Sequence, residues 1–256
     1  MKVVIIMMKH ILTPNIPQDR VKTVVIDYRT DKDIVLTLNN MGVEVINTER
    51  CNELYDAING HPDILIHHVG GKSIILAPNI YDKMASKFIK KGFAVTKGDA
   101  WLYRNYPLNI AYNVLRIGKY AFHNTKYTDK QIRLLYEKDS IKLVHVRQGY
   151  TKCSVCVVNE NAAITSDIKI AKALEHCDID TLLIKPDNIE LLGLDYGFIG
   201  GASGLISRSE IVFTGCISGL EDYTRIRKFL EEKGVKAILL SNKQIIDIGS
   251  IIPLTY

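Results

Sequence analysis

Apolar residues recur at the three- and four-residue spacing of a helix with one buried face in five stretches: residues 31–41, 80–91, 128–138, 167–176 and 221–233. Thr128-x-x-Gln131 and Ser218-x-x-Glu221 read as capping boxes, in which the hydroxyl accepts from a free backbone N–H and the third residue reaches back. Gly42, Gly92 and Gly234 fall where the helices should stop and supply the left-handed residue beyond the last turn. After the helices come short apolar runs of strand composition at 43–46, 93–96, 141–144, 181–184 and 235–239.

Two further strand-like runs stand before the next helix in most of these segments, and this argues against a simple alternation of strand and helix. Cys153 to Val158 and Ala162 to Thr165, joined by Asn159-Glu-Asn161, form the clearest hairpin. Its counterparts are Asp63-Ile-Leu-Ile-His-His followed by Ser73 to Leu76, Asn109 to Leu115 followed by Lys119 to Phe122, and Tyr196 to Gly201 followed by Glu210 to Phe213. Their starts at Asp63, Asn109, Lys152 and Tyr196 are 46, 43 and 44 residues apart, a period that marks a repeat architecture. A fifth unit is split: 244–252 gives a first strand at the end of the chain, and 22–27 gives a second strand near its start. Joining them closes a ring and leaves no open sheet edge. The expected architecture is one α/β domain over 1–256, with five ββαβ units at 244–254 plus 22–47, 63–97, 109–146, 152–185 and 196–240.

Composition agrees with an ordinary globular chain: 256 residues, 47% hydrophobic, 24% charged. The net charge of +5 comes from Lys and Arg interspersed with Asp and Glu, without the basic face that a nucleic-acid binder concentrates. Five cysteines at irregular spacing do not read as a secreted disulfide framework. Neither the opening run to His10 nor any later stretch has the length of a signal or membrane segment. A cytoplasmic protein with reduced thiols is expected, with a small-molecule ligand and neither membrane nor nucleic acid as a partner. Oligomeric state is not readable, and no motif implies a cofactor.

Small sheets alternating with helices around a pseudo-fivefold axis describe the pentein fold, and the chain resembles it. His61-Pro-Asp63, Gln148-Gly-Tyr-Thr-Lys-Cys153, Gly197-Phe-Ile-Gly-Gly-Ala-Ser-Gly204 and Asp247-Ile-Gly-Ser-Ile-Ile-Pro-Leu254 resemble an uncharacterised bacterial family with the guanidino-group-modifying-enzyme fold. The resemblance implies that each unit's first strand lines a channel and that unlike polar residues at the strand starts converge on one end of it.

Under that resemblance Cys153 is the candidate nucleophile, since guanidine-modifying penteins attack with a thiolate, and Lys152 would favour the anion. The bland alternative for Cys153 is a small buried strand residue. Such penteins draw their cysteine from the last unit, where this chain has Gly249-Ser-Ile-Ile-Pro253, and a His-x-Asp or His-x-Glu element from the third, where it has Tyr150-Thr-Lys152. His61 and Asp63 are candidates for proton donor and guanidinium ligand, or for a turn fixed by Pro62. Asp247 should meet a cation, either Lys152 or a cationic substrate.

Asn109, Asn113 and Tyr150 are further candidates for ligand contact; even spacing on a strand would put both asparagines on one face, where they contact a ligand or a neighbouring repeat. Gly200, Gly201 and Ser203 could cradle an oxyanion, or the glycines could permit a close approach to the axis. Cys153-x-x-Cys156 lacks a second pair at zinc-ribbon spacing, and no metal is expected. His67 and His68 should face opposite ways, one in the core and one exposed, and Tyr103, Tyr106, Tyr112 and Tyr120 are available to wall a pocket. Two functions fit: a cysteine-dependent hydrolase of a small guanidine or amide, or a non-catalytic pentein that binds a ligand or assembles with a macromolecule.

Overall fold

The computed structural model describes residues 9–186 and 188–256. The opening run of residues 1–8, read above as too short for a signal segment, lies outside them.

Five three-stranded sheets follow one plan. The chain runs through β1 (Thr23–Ile26), α1 (Lys32–Asn40) and β2 (Glu44–Asn47), then a short α2 (Pro62–Leu65). The next unit is β3 (Ile66–Gly70), β4 (Ser73–Leu76), α3 (Tyr81–Ile89) and β5 (Ala94–Lys97). It is followed by β6 (Leu115–Ile117), β7 (Tyr120–His123), α4 (Lys130–Lys138) and β8 (Lys142–His145). Then come β9 (Val155–Asn159), β10 (Ala162–Thr165), α5 (Ile168–Glu175) and β11 (Asp180–Leu183). The last full unit is β12 (Ser203–Ser207), β13 (Glu210–Phe213), α6 (Tyr223–Glu232) and β14 (Lys236–Leu239), and β15 (Ile252–Thr255) ends the chain.

In every sheet the first two strands are antiparallel, a hairpin geometry, and the helix carries the chain back so that the third strand runs parallel to the second. β15 supplies the first strand for β1, with Val25 opposite Ile252, so both ends of the chain share a sheet. The first strands are almost wholly buried and β6, β9, β12 and β15 touch in succession. Third strands, at the periphery, begin with an exposed residue and are otherwise half-buried or exposed, with Ile46 of β2 buried. Those outer edges are four residues long and each carries a charge, Glu44, Lys97, Lys142, Asp180 or Lys236, which discourages pairing with another chain.

Each helix turns a narrow apolar stripe onto its sheet. In α6 the buried residues are Ile226, Phe229 and Leu230, at spacings of three and four. Each such side chain contributes about 1.5–3 kcal/mol on burial. Gly42, Gly92 and Gly234 take φ of 78°, 80° and 67°, the left-handed turn that ends α1, α3 and α6. Neither expected capping box forms. Asp129, the residue directly before α4, caps it by accepting from Gln131 N, while Thr128 Oγ1 is engaged with His123 Nδ1 at 2.7 Å. Helix α6 begins after Asp222, and Ser218 Oγ lies instead 2.9 Å from Cys216 Sγ.

The hairpin-turn end of the assembly is laced by the N-terminal segment. Ile11 N donates to Leu254 O, Gly71 N to Ile11 O, Asn15 Nδ2 to Arg116 O and Arg208 Nε to Gln18 O. What remains open is the opposite end, where the chain enters the first strands.

Candidate functional site

The first strands begin later than periodicity suggests: at Ile66, Leu115, Val155, Ser203 and Ile252, where Asp63, Asn109, Lys152, Tyr196 and Gln244 were expected. The polar residues before them occupy turns and, for Asp63, the short helix α2. Turns can aim side chains inward without the alternation of a strand, and these surround a cavity of about 380 Å³. Every unit contributes to it: His61 ahead of β3, Tyr106 ahead of β6, Gln148, Tyr150 and Cys153 ahead of β9, Asp195, Tyr196 and Phe198 ahead of β12, and Asp247 ahead of β15. Tyr55, Ile58, Ile64, Leu191 and Leu194 complete the wall. The rings of Tyr106, Tyr150, Phe198 and Tyr196 form a continuous aromatic run, with centroids 5.7, 6.4 and 6.0 Å apart.

Asp247 is the buried carboxylate facing this space, and Asp195 is the exposed one. Its Oδ2 accepts from Phe198 N and its Oδ1 from Gly249 N, both at 2.9 Å, which fixes the carboxylate plane. Burial pushes its carboxyl up to about 7, with the charge of Asp63 adding to the effect. No lysine or arginine lies within ion-pair distance of it among the described residues; its one pairing is His61 Nδ1 at 3.9 Å.

Beneath the floor, Ser250 Oγ accepts from Lys152 Nζ at 2.9 Å and lies 2.7 Å from Asp63 Oδ2 and 2.9 Å from Gly200 O. Lys152 and Asp63 therefore interact through a hydroxyl, not by direct contact. Burial pushes Asp63 up to about 6, opposed by the Lys152 charge and the Ser250 hydrogen bond. Burial pushes the Lys152 ammonium down, opposed by Asp63. Neither residue lines the cavity.

Asp27, at the end of β1, is gripped by Arg29, whose Nε donates to Oδ1 at 2.9 Å and Nη2 to Oδ2 at 2.5 Å. His61 sits between this pair and Asp247, its Nε2 4.0 Å from Asp27 Oδ2. Both distances exceed a hydrogen bond. Burial pushes the imidazole down to about 4, so it is neutral at pH 7.

Cys153 is among the residues that line the cavity, and its Sγ lies 3.5 Å from Tyr150 O and 3.6 Å from Asn113 Oδ1. The expected activation by Lys152 is outweighed. Burial and the carboxylates of Asp63 and Asp247 push the thiol well above its ordinary range, and the ammonium, turned toward Ser250, offsets this only in part.

Of the remaining candidates, Tyr150 lines the cavity and donates to Asn109 Oδ1 at 3.1 Å. Asn109 and Asn113 stand in turns and not on one strand face, and their amides serve the protein: Asn109 Nδ2 donates to Arg104 O, and Asn113 Oδ1 accepts from Lys152 N at 2.8 Å. Of the expected oxyanion cradle, Gly201 N donates to Cys153 O at 2.8 Å, and Gly200, Gly201 and Ser203 are not among the residues that line the cavity. The glycines instead allow close approach: a Cβ on Gly200 would come within 2.3 Å of Val155 O, and one on Gly201 within 1.9 Å of Asp247 Oδ1. His67 and His68 are both buried, bonded to Tyr136 OH and Gly71 O respectively, since flanking elements cover both faces of β3. Of the four tyrosines only Tyr106 reaches the cavity; Tyr112 is buried and donates to Ala100 O.

Sequence reasoning missed Ser250, Tyr55 and the Asp27–Arg29 pair. Asp27, a lone acid directly after the apolar run Thr23-Val-Val-Ile26, was the available signal; Tyr55 lies in a segment with no periodicity at all.

The same arrangement of sheets and helices occurs in solved structures. An inosamine-phosphate amidinotransferase from Streptomyces griseus superposes with a TM-score of 0.58 at 10% identity, covering 94% of each chain. A dimethylarginine dimethylaminohydrolase from Pseudomonas aeruginosa, complexed with citrulline, gives 0.56 at 9% identity over 91% of this chain and 96% of its own. An agmatine deiminase from C. jejuni gives 0.53 at 9% identity, covering 97% and 96%. The chain thus has the pentein fold shared by these enzymes. By its sequence over residues 25–252 it belongs to DUF6873, a family of unknown function. No curated protein matches it in sequence. No helix of the described residues is long and apolar enough to cross a membrane.

Proposed function

We propose that the cavity binds a small organic cation bearing a planar guanidinium or amidinium group, with Asp247 as its counter-charge. The observation that carries this reading is the balance of buried charge. Arg29 neutralises Asp27, and Lys152 opposes Asp63 through Ser250, which leaves Asp247 facing a 380 Å³ cavity beside a neutral histidine. A carboxylate oriented by two backbone N–H groups pairs well with a planar cation, and the aromatic faces of Tyr106, Tyr150, Tyr196 and Phe198 attract one. The fold is shared with amidinotransferases and with hydrolases of guanidino compounds, which is consistent with such a ligand. Calorimetric titration with butylguanidine and with the neutral isostere butylurea tests the reading. Saturable binding of the guanidine alone, lost in Asp247→Asn, is expected; equal binding of the urea would remove the basis for it.

The presence of Cys153 among the lining residues supports a second reading, hydrolysis of a C–N bond. The thiolate would add to the amidinium carbon, the amine would leave with a proton, and water would release the product and restore the thiol. A bound cation offsets the two carboxylates that raise the thiol, so the charge balance of the loaded site favours the anion more than that of the empty one. Release of amine or ammonia from guanidines by the parent protein, abolished in Cys153→Ala with binding retained, is the outcome this reading requires.

A further inference from the structure

The mouth of the cavity carries information about the far end of its ligand. Asp195 lies at the rim, exposed, with no hydrogen bond or ion pair to any described residue. Two aromatic residues of the same lining, Tyr106 and Tyr196, are exposed as well, with 53% and 54% of their surfaces accessible. Among the described residues, no lysine or arginine lines the cavity. Lys152, on the same turn as Cys153, is buried and directed to Ser250.

We propose that the site selects guanidines with a cationic far end and rejects those ending in a carboxylate, and that Asp195 is the residue that discriminates. This rests on the reading of the cavity as a guanidinium site. A ligand with its guanidinium on Asp247 must bring its other end to the rim. A carboxylate there meets no cation, loses part of its hydration and faces a like charge. An ammonium there meets Asp195 and the faces of two tyrosines. The favoured ligand is therefore a dication, a guanidinium and an amine joined by a short alkyl chain, which matches the two carboxylates of the lining, Asp247 and Asp195.

The test holds the guanidinium constant and changes only the far end: 4-guanidinobutylamine, butylguanidine and 4-guanidinobutyrate, titrated calorimetrically into the parent, Asp195→Asn and Asp195→Lys. The amine is expected to bind at least about fivefold tighter than butylguanidine, and the acid weakest, with the spread narrowing at high salt because the rim is exposed. Asp195→Asn should compress the series and Asp195→Lys should invert it; butylguanidine, itself a cation, weakens with the rim charge but by less than the amine, so the ratio of amine to acid affinity within each variant is the readout. If the acid binds the parent as well as the amine does, or if the order survives both substitutions, the inference is wrong. If no guanidine binds at all, the guanidinium reading itself fails and this one falls with it; unaltered melting temperatures of the variants exclude misfolding as the cause.

Discussion

Lys152 and Asp63 are held to each other by Ser250, whose Oγ lies 2.9 Å from the ammonium and 2.7 Å from the carboxylate. Ser250 keeps this position in the left-handed region, φ 77°, where only glycine is at ease, and its own N–H donates to Gly201 O. Ser250→Ala deletes the bridge and leaves two buried groups facing a methyl. A loss of about 2–4 kcal/mol in urea unfolding is expected, because unpaired buried polar groups retain their desolvation penalty. A loss under about 0.5 kcal/mol would mean that water replaces the hydroxyl and that the bridge is not structural.

Asp247 should weaken the fold it sits in. Its folded carboxyl, raised to about 7, holds a proton that the unfolded chain gives up near 4. The folded state therefore binds more protons between these values, and stability falls as pH rises through the window. Asp247→Asn removes that loss, so the variant should gain roughly 1–3 kcal/mol over the parent at pH 8 and little at pH 4. Melting temperatures of both proteins across that range check the sign; a difference independent of pH would refute the assignment.

The buried histidines act in the opposite direction. Burial pushes His61, His68 and His123 down to about 4 and His67 to about 3. Between pH 6.5 and 4 the unfolded chain takes up protons that the folded one refuses, so each destabilises the fold as pH falls. Four such groups outweigh the two raised carboxylates of Asp63 and Asp247. Unfolding free energy should decrease on acidification from pH 6.5 to 4, and Asp247→Asn should make the decrease steeper. A flat profile in the parent would show that the histidines are hydrated in the folded state.

The repeat was legible because each unit spends its apolar residues in the same order, and a period near 44 survives even where the strands shift. The strand starts were not legible. Asn109-Ile-Ala-Tyr-Asn-Val-Leu115 alternates well enough for a strand, yet Asn113 Oδ1 is bonded to Lys152 N and the backbone turns at Ala111 and Tyr112. Side-chain to backbone bonds of this kind compete with a ladder, and a single sequence does not display them. Cys153, Asp247, His61 and Tyr150 were recognisable as cavity residues because they recur at equivalent points of the repeat. Ser250 and Asp27 both belong to the split unit and reach Lys152 and Asp63, and His61, of other units only through the closed fold.

The cysteines should separate by reactivity in an order set by burial. Cys216 is partly exposed, and the hydrogen bond from Ser218 lowers its thiol. Cys51, Cys153 and Cys156 are buried and raised, Cys51 to about 12 and Cys156 to about 11. Alkylation of the native protein, followed by peptide mass spectrometry, is expected to label Cys216 first and Cys153 only slowly. A butylguanidine-dependent rise in the Cys153 rate would support the catalytic reading, and rapid labelling of Cys153 without ligand would contradict the raised thiol.

Two adjacent glycines should respond differently to the same added methyl. At Gly200 the new Cβ meets backbone, Val155 O at 2.3 Å and Cys153 O at 2.6 Å, which nothing nearby can relieve. At Gly201 the three nearest atoms are those of the Asp247 carboxylate, at 1.9–2.5 Å. Both single alanine variants should be strongly destabilised, by about 3 kcal/mol or more, since overpacking against fixed atoms forces the chain apart. Shortening Asp247 to alanine should rescue Gly201→Ala and leave Gly200→Ala unimproved, a coupling that a double-mutant cycle reads directly. If the rescue fails, the turn at 200–201 owes its glycines to backbone conformation and not to the approach of Asp247, and the carboxylate is free to shift within the cavity.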